Sequence, residues 1–98
     1  MDPPGFMVSG PLSGQGAAAG RILRALPDWF GIESAITDYA TAANALPSFV
    51  AAADRDVVGF VTVRATSQDA LELHVMGVLA AWQRRGVGRA LVERAAEI

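Results

Sequence analysis

Residues 75–98, VMGVLAAWQRRGVGRALVERAAEI, decide how this chain is read. The stretch leaves an apolar segment, passes through a turn holding Gly86 and Gly88, and enters a helical period. Val87, Ala90, Leu91, Ala95 and Ile98 fall on one side of that helix. The two glycines let backbone pass close to a ligand without side-chain obstruction. They stand at a helix start, where unpaired N–H groups and the positive end of the dipole favour an anion. Arg84, Arg85 and Arg89 bring positive charge to the same place. A pyrophosphate or another phosphate group suits this combination. A structural corner flanked by solvated arginines is the alternative.

Two common phosphate loops are excluded. A P-loop needs Gly-x4-Gly-Lys-Ser/Thr, and the chain contains no lysine. The dinucleotide fingerprint needs Gly or Ala three places after its second glycine, where Leu91 stands here. It also needs a parallel βαβ unit, and the preceding strands read as antiparallel.

Working outward toward the N-terminus, ALELHVMGVL (70–79) is a strand in which Leu71, Leu73 and Val75 alternate with Glu72, His74 and Met76. One face is expected to be apolar and the other to carry polar chemistry. Gly77 near its end weakens pairing and marks a bulge or the close approach of a ligand. VVGFVTV (57–63) and SFVAAA (48–53) are two further strands, rich in β-branched and aromatic residues or in alanine, joined by the polar turn DRD (54–56). Such short turns favour antiparallel neighbours. Ahead of them a helix is expected over 34–45, with Ser34 as N-cap and Ala35, Ile36, Tyr39, Ala42 and Ala43 on its apolar side. Ile22, Leu23 and Leu26 mark another helix from Arg21, ended by Pro27, and PDWFGI (27–32) reads as a loop. Residues 1–19 are rich in Gly, Pro, Ser and Ala without apolar periodicity, so they are expected to form a flexible arm before a domain spanning 20–98. The order is two helices, three antiparallel strands, a turn and a helix: an α+β pattern.

Composition narrows the function. At 98 residues the chain is one domain or part of one, and 52% apolar content argues against global disorder. A net charge of −2, with arginines that are not gathered in one run, gives no reason to expect nucleic acid. Cysteine is absent and His74 is the only histidine, which excludes thiolate and multi-histidine metal sites; no metal is expected. Neither a secretory signal nor a run of membrane-spanning length is visible, and the cytoplasm is the default location.

One pattern does match. Gln83-Arg84-Arg85-Gly86-Val87-Gly88 is Q-x-x-G-x-G, which resembles the acetyl-CoA-binding signature of the GCN5-related N-acetyltransferases. MGVLAAWQ before it resembles the run leading into that signature, with Ala80 where proline is usual, and RALVERAAE after it resembles the following amphipathic helix. The order of helices and strands over about residues 20–98 also fits. The resemblance implies an acyl-CoA N-acyltransferase fold and transfer of an acetyl group from acetyl-CoA directly to a primary amine. It implies that Met76, Gly77 and Val78 line the acetyl-pantetheine arm through their main chain. Gln83 and Arg84 through Arg89 (Arg84, Arg85, Gly86, Val87, Gly88 and Arg89) would hold the pyrophosphate.

Acetyl transfer requires a neutral amine, so a site must remove a proton and stabilise the oxyanion formed at the thioester. The backbone N–H around Val78, offered at a bulge, is the expected oxyanion donor. Glu72 matches the position of a general-base glutamate in several members of the resembled family; an ion pair with a neighbouring-strand arginine such as Arg64 is its plainer role. His74 is a second candidate base, since imidazole titrates near neutrality, and a structural histidine is the alternative. Trp29 and Phe30 lie in a loop that borders the acceptor side in the resembled family, or they anchor packing. Trp82 is expected to pack under the turn.

Members of the resembled family continue with three more strands and another helix, which supply the opposite wall of the cleft. The chain therefore reads as a truncated acetyltransferase half, with an exposed last strand open to homodimer formation or aggregation. Two other readings stay open: a CoA-binding fragment without turnover, and an α+β interaction domain whose turn binds nothing.

Overall fold

The computed structural model describes residues 5–29, 31–68 and 70–97. Strand β1 (Met7–Leu12) leads to helix α1 (Gly16–Ala25), a 3-10 turn (Pro27–Trp29) and helix α2 (Glu33–Ala45). Strands β2 (Ser48–Ala53), β3 (Asp56–Ser67) and β4 (Ala70–Val78) follow, then a second 3-10 turn (Ala80–Trp82) and helix α3 (Val87–Ala96). The strands form one sheet in the order β1-β2-β3-β4, every neighbouring pair antiparallel. This is the expected α+β arrangement with one more strand.

Alternation along the central strands builds a core on each face of the sheet. Phe49, Val61 and Val63 point to the side where Val87, Leu91 and Ala95 of α3 lie. Val50, Phe60 and Val75 meet Ile22 and Leu23 of α1 and Ile36 and Ala43 of α2 on the other. Two glycines set how closely the helices approach. A Cβ at Gly59 would stand 2.8 Å from Val87 Cγ1, and one at Gly77 would stand 3.1 Å from both Ile22 Cγ2 and Phe60 Cε1. Ser48 and Thr62, both fully buried, satisfy each other through hydroxyls 2.8 Å apart. On the surface, Arg24 and Glu33 pair at 2.7 Å across the first loop, and this hydrogen bond holds the guanidinium pKa above its ordinary value.

The apolar sides expected for two helices are seen. On α2, Ile36 and Ala43 are buried and Ala35, Tyr39 and Ala42 half-buried, though the helix begins one residue earlier, after Ile32. On α3, Val87, Leu91 and Ala95 are buried and Ala90 half-buried; Ile98 lies outside the described residues.

Two expectations are corrected. The flexible arm over residues 1–19 gives way, from Met7 onward, to β1 and the first turn of α1. Small residues there serve close packing rather than chain freedom. A Cβ on Gly16 would fall 2.5 Å from Ala40 O and 2.6 Å from the Asn44 side chain, so α1 and α2 touch through backbone. The end of α2 also caps the start of α1: Gly16 N–H donates to Asn44 Oδ1 at 2.8 Å, and Gly14 and Gln15 N–H donate to the Asn44 and Ala43 carbonyls at 3.1 Å.

The second correction concerns β4. Thr62 pairs with Val75 but Val63 with Leu73, so His74 is the extra residue of a β-bulge. The bulge falls at His74 and not at Gly77 or Val78. It also breaks the expected alternation. Leu71 and Leu73 face the α3 side, whereas Val75 joins the α1–α2 core and Met76 lies near Gly88 on the α3 side.

The Gly16 contact has a testable sign. In a flexible arm Gly16→Ala would be neutral, and at an uncrowded helix position it would stabilise by about 0.5–1 kcal/mol. Against Ala40 and Asn44 it overpacks, and a loss of about 1–3 kcal/mol is expected. Thermal denaturation should show a midpoint lowered by roughly 4–8 °C per kcal/mol.

Candidate functional site

The outer edge of β4 and the start of α3 meet at the turn between them. Antiparallel ladders direct a residue's backbone groups alternately to one neighbour and the other. Val63 N–H bonds Pro47 O toward β2 at 3.0 Å, so Val61 shares that direction, and Phe60 and Thr62 bond toward β4. Their partners Gly77 and Val75 are therefore tied into the ladder, in phase with Leu79 N–H on Val58 O at 2.8 Å. Met76 and Val78, between them, turn their N–H and C=O groups to the open edge. Of the three residues expected to present backbone, these two do so and Gly77 does not. On its α1 side the space above Gly77 is filled by Ile22 and Phe60 from its own fold.

The turn continues this edge. Gln83 Nε2 donates to Val78 O at 2.9 Å, fixing the strand end to the turn and leaving the Val78 N–H outward. Arg84 (φ 65°) and Gly86 (φ 86°) are both left-handed, which curls the chain before α3. No side chain caps α3, and its first intrahelical bond is Ala90 N–H to Gly86 O at 3.0 Å. The N–H groups of Val87, Gly88 and Arg89 thus lack helical partners and concentrate positive potential. Arg84, Arg85 and Arg89 are exposed around them. The Arg85 guanidinium stacks 4.8 Å from the Trp82 ring centre, and Arg89 pairs with Glu93 at 3.0 Å one turn along the helix. Trp82 packs under the turn as expected, with Phe6 edge-on at 6.5 Å, a contact from β1's approach that sequence reading missed.

The second group lies on the α1–α2 side of the same strand. Glu72 and His74 are brought together by one nitrogen of Arg64 on β3. Nη2 stands 3.5 Å from Glu72 Oε1 and 3.2 Å from His74 Nδ1. The Glu72–Arg64 pair anticipated as the plainer role is thus present, and half-exposed on both sides. The link to His74 follows from alternation, which keeps His74 on the face of Glu72; the bulge turns the next residue, Val75, to that face as well. The His74 ring packs edge-on against Tyr39 at 5.3 Å, and Tyr39 against Trp29 at 5.3 Å. Phe30 lies outside the described residues.

A carboxylate or an imidazole can exchange a proton with a bound amine and a guanidinium can orient them, while the turn can hold an anion. Among the described residues no group of His, Asp and Glu could hold a metal ion, and no helix is long and apolar enough to cross a membrane.

A family model described as an acetyltransferase (GNAT) domain matches residues 44–98, more than half of the chain and all of the strand–turn–helix segment. The chain belongs to the GNAT acetyltransferase family. Solved GNAT structures share its fold at low identity. An acetyltransferase of Pyrococcus horikoshii superposes with a TM-score of 0.79 at 17% identity, covering 99% of this chain and 35% of that one. A ribosomal-protein alanine N-acetyltransferase of Escherichia coli gives 0.72 at 21%, covering 94% and 57%. The diaminobutyrate acetyltransferase of Paenibacillus lautus, solved with diaminobutyric acid and coenzyme A, gives 0.69 at 16%, covering 91% and 55%. The chain therefore spans from about a third to just over half of these GNAT proteins. No curated protein sequence matches it significantly.

The two glycines of the GNAT turn differ in what they demand. Nothing lies within 4 Å of a Cβ at Gly86, but its φ is left-handed; a Cβ at Gly88 meets only ordinary contacts at 3.9 Å. Gly86→Ala should cost about 1–2 kcal/mol through backbone strain. Gly88→Ala, in the first helical turn, should leave stability unchanged or raise it. Urea denaturation of the two variants reads this difference directly.

Proposed function

We propose that the chain is the acetyl-CoA-binding portion of an N-acetyltransferase that acts on a primary amine. The observation that carries this reading is continuity: the open backbone edge at Met76 and Val78 runs without interruption into the arginine-flanked, uncapped start of α3. An elongated ligand with an amide-bearing arm and a pyrophosphate suits such a track. The arm would pair with Met76 and Val78 as an added strand does. The pyrophosphate would accept from the N–H groups of Val87, Gly88 and Arg89, with charge from Arg84 and Arg85. Gln83 would act by bracing the Val78 carbonyl. Coenzyme A in the Paenibacillus relative supports the same ligand here.

In the reaction, Glu72 or His74 takes a proton from the acceptor ammonium, directly or through water. The freed nitrogen lone pair attacks the thioester carbonyl carbon, and the Val78 N–H stabilises the oxyanion. The C–N bond forms, the nitrogen gives up its second proton to solvent, the C–S bond breaks, and the CoA thiolate leaves to take up a proton from solvent. Trp29 and Tyr39 border the side from which the amine would arrive. A second reading, CoA binding without turnover, is favoured by one observation: one guanidinium nitrogen of Arg64 contacts both candidate bases.

Calorimetry with acetyl-CoA tests the binding half. Gly86→Asp places a carboxylate against the pyrophosphate in a left-handed position and should abolish measurable binding; unchanged affinity would sink the assignment. Acetylation of a panel of amines tests the chemistry. Turnover that falls about a hundredfold or more in Glu72→Gln marks general-base transfer. Binding without acetylation of any amine supports the second reading.

A further inference from the structure

Arg64 does more than neutralise Glu72. Its Nη2 carries two hydrogens, and that nitrogen stands 3.2 Å from His74 Nδ1 and 3.5 Å from Glu72 Oε1. A guanidinium has no acceptor and does not lose its proton, so in this contact it can only donate. His74 Nδ1 must then be the acceptor, and the ring proton of the neutral imidazole must sit on Nε2. The one lone pair that would make His74 a base is the one Arg64 occupies. A carboxylate, in contrast, offers about four acceptor sites over its two oxygens, and Arg64 touches only Oε1.

We propose that Arg64 is a positioning residue that divides the roles of the two candidate bases, holding His74 as a neutral Nε2–H hydrogen-bond donor and leaving Glu72 as the proton acceptor. This rests on the acetyl-transfer reading for its use, but not for its test. The surroundings keep the arrangement in place. Tyr39 from α2 packs against one side of the imidazole, Arg64 from β3 holds its Nδ1, and Glu72 on β4 shares the same guanidinium nitrogen. Alternation puts Glu72 and His74 on one face of β4, and the pairing of Arg64 with Glu72 sets the guanidinium against that face. The amine proton passes to the Glu72 carboxylate, while His74 Nε2–H is free to donate to an acceptor atom of the incoming substrate.

His74 is the only histidine, so ring 15N and 13C NMR of the labelled chain reports this imidazole without ambiguity. Spectra are taken in alkaline buffer, on the plateau where the ring shifts no longer change with pH. The wild-type ring should show the Nε2–H tautomer alone. Arg64→Met, which keeps a stem and removes the donor, should bring in the Nδ1–H form. Arg64→Lys, which can only donate, should restore the wild-type signature. Glu72→Gln should leave the tautomer unchanged, which separates Arg64's hold from a general effect of the ion pair. An Nδ1–H ring in the wild type, or the same tautomer ratio in wild type and Arg64→Met, overturns the proposal. With acetyl-CoA and an amine that the wild type acetylates, Glu72→Gln must lose more kcat than His74→Gln; the reverse order overturns the division of roles. If acetyl-CoA fails to bind at all, the function falls while the NMR result still decides the tautomer.

Discussion

Contact of α1 and α3 with opposite faces of the β3–β4 ladder is the constraint on which the other features rest. It is made possible where two side chains are missing, at Gly59 on one face and Gly77 on the other. Because Gly59 pairs with Val78 and Gly77 with Phe60, the two close approaches fall side by side in the sheet. Dense packing on both faces fixes the end of β4 in position and in hydrogen-bonding phase. The phase decides which backbone groups reach the open edge. A shift by one residue would offer Gly77 and bury the groups of Met76 and Val78.

The same strand carries two kinds of chemistry in its two halves. Its C-terminal end works through main chain, joined by Gln83 to a turn whose left-handed residues lead into an uncapped helix. Its middle works through side chains, where Arg64 gathers Glu72 and His74 beneath Tyr39. The first depends on backbone direction and helix polarity, which vary little with sequence. The second depends on four particular side chains from three elements.

Much of this was legible in the residues. The strand–turn–helix of 70–98 announces itself through strict alternation, paired glycines and a helical period, because local rules govern each part. The apolar face of α2 was readable from spacing alone. The N-terminal segment was misread because Gly16 and its alanine neighbours look the same in an entropic argument and in a close helix contact. Only the presence of Ala40 and Asn44 across the gap tells the two apart. The bulge at His74 was invisible for a related reason. Leu71, Leu73 and Val75 alternate perfectly, and only the competing demands of two cores send Val75 to the other face. Tyr39 was placed on the correct face of its helix, but its partner His74 lies on a distant strand that no spacing rule names.

The extra residue at His74 also makes β4 two strands in an evolutionary sense. In an uninterrupted strand, inserting or deleting a residue inverts every side chain beyond it, and the fold loses its core along with its chemistry. Here the inversion is already built in and absorbed at one position. Residues before His74 and residues after it can each change by their own rules of polarity. The face that carries Glu72 and His74 and the edge offered by Met76 and Val78 therefore follow separate phases along one strand.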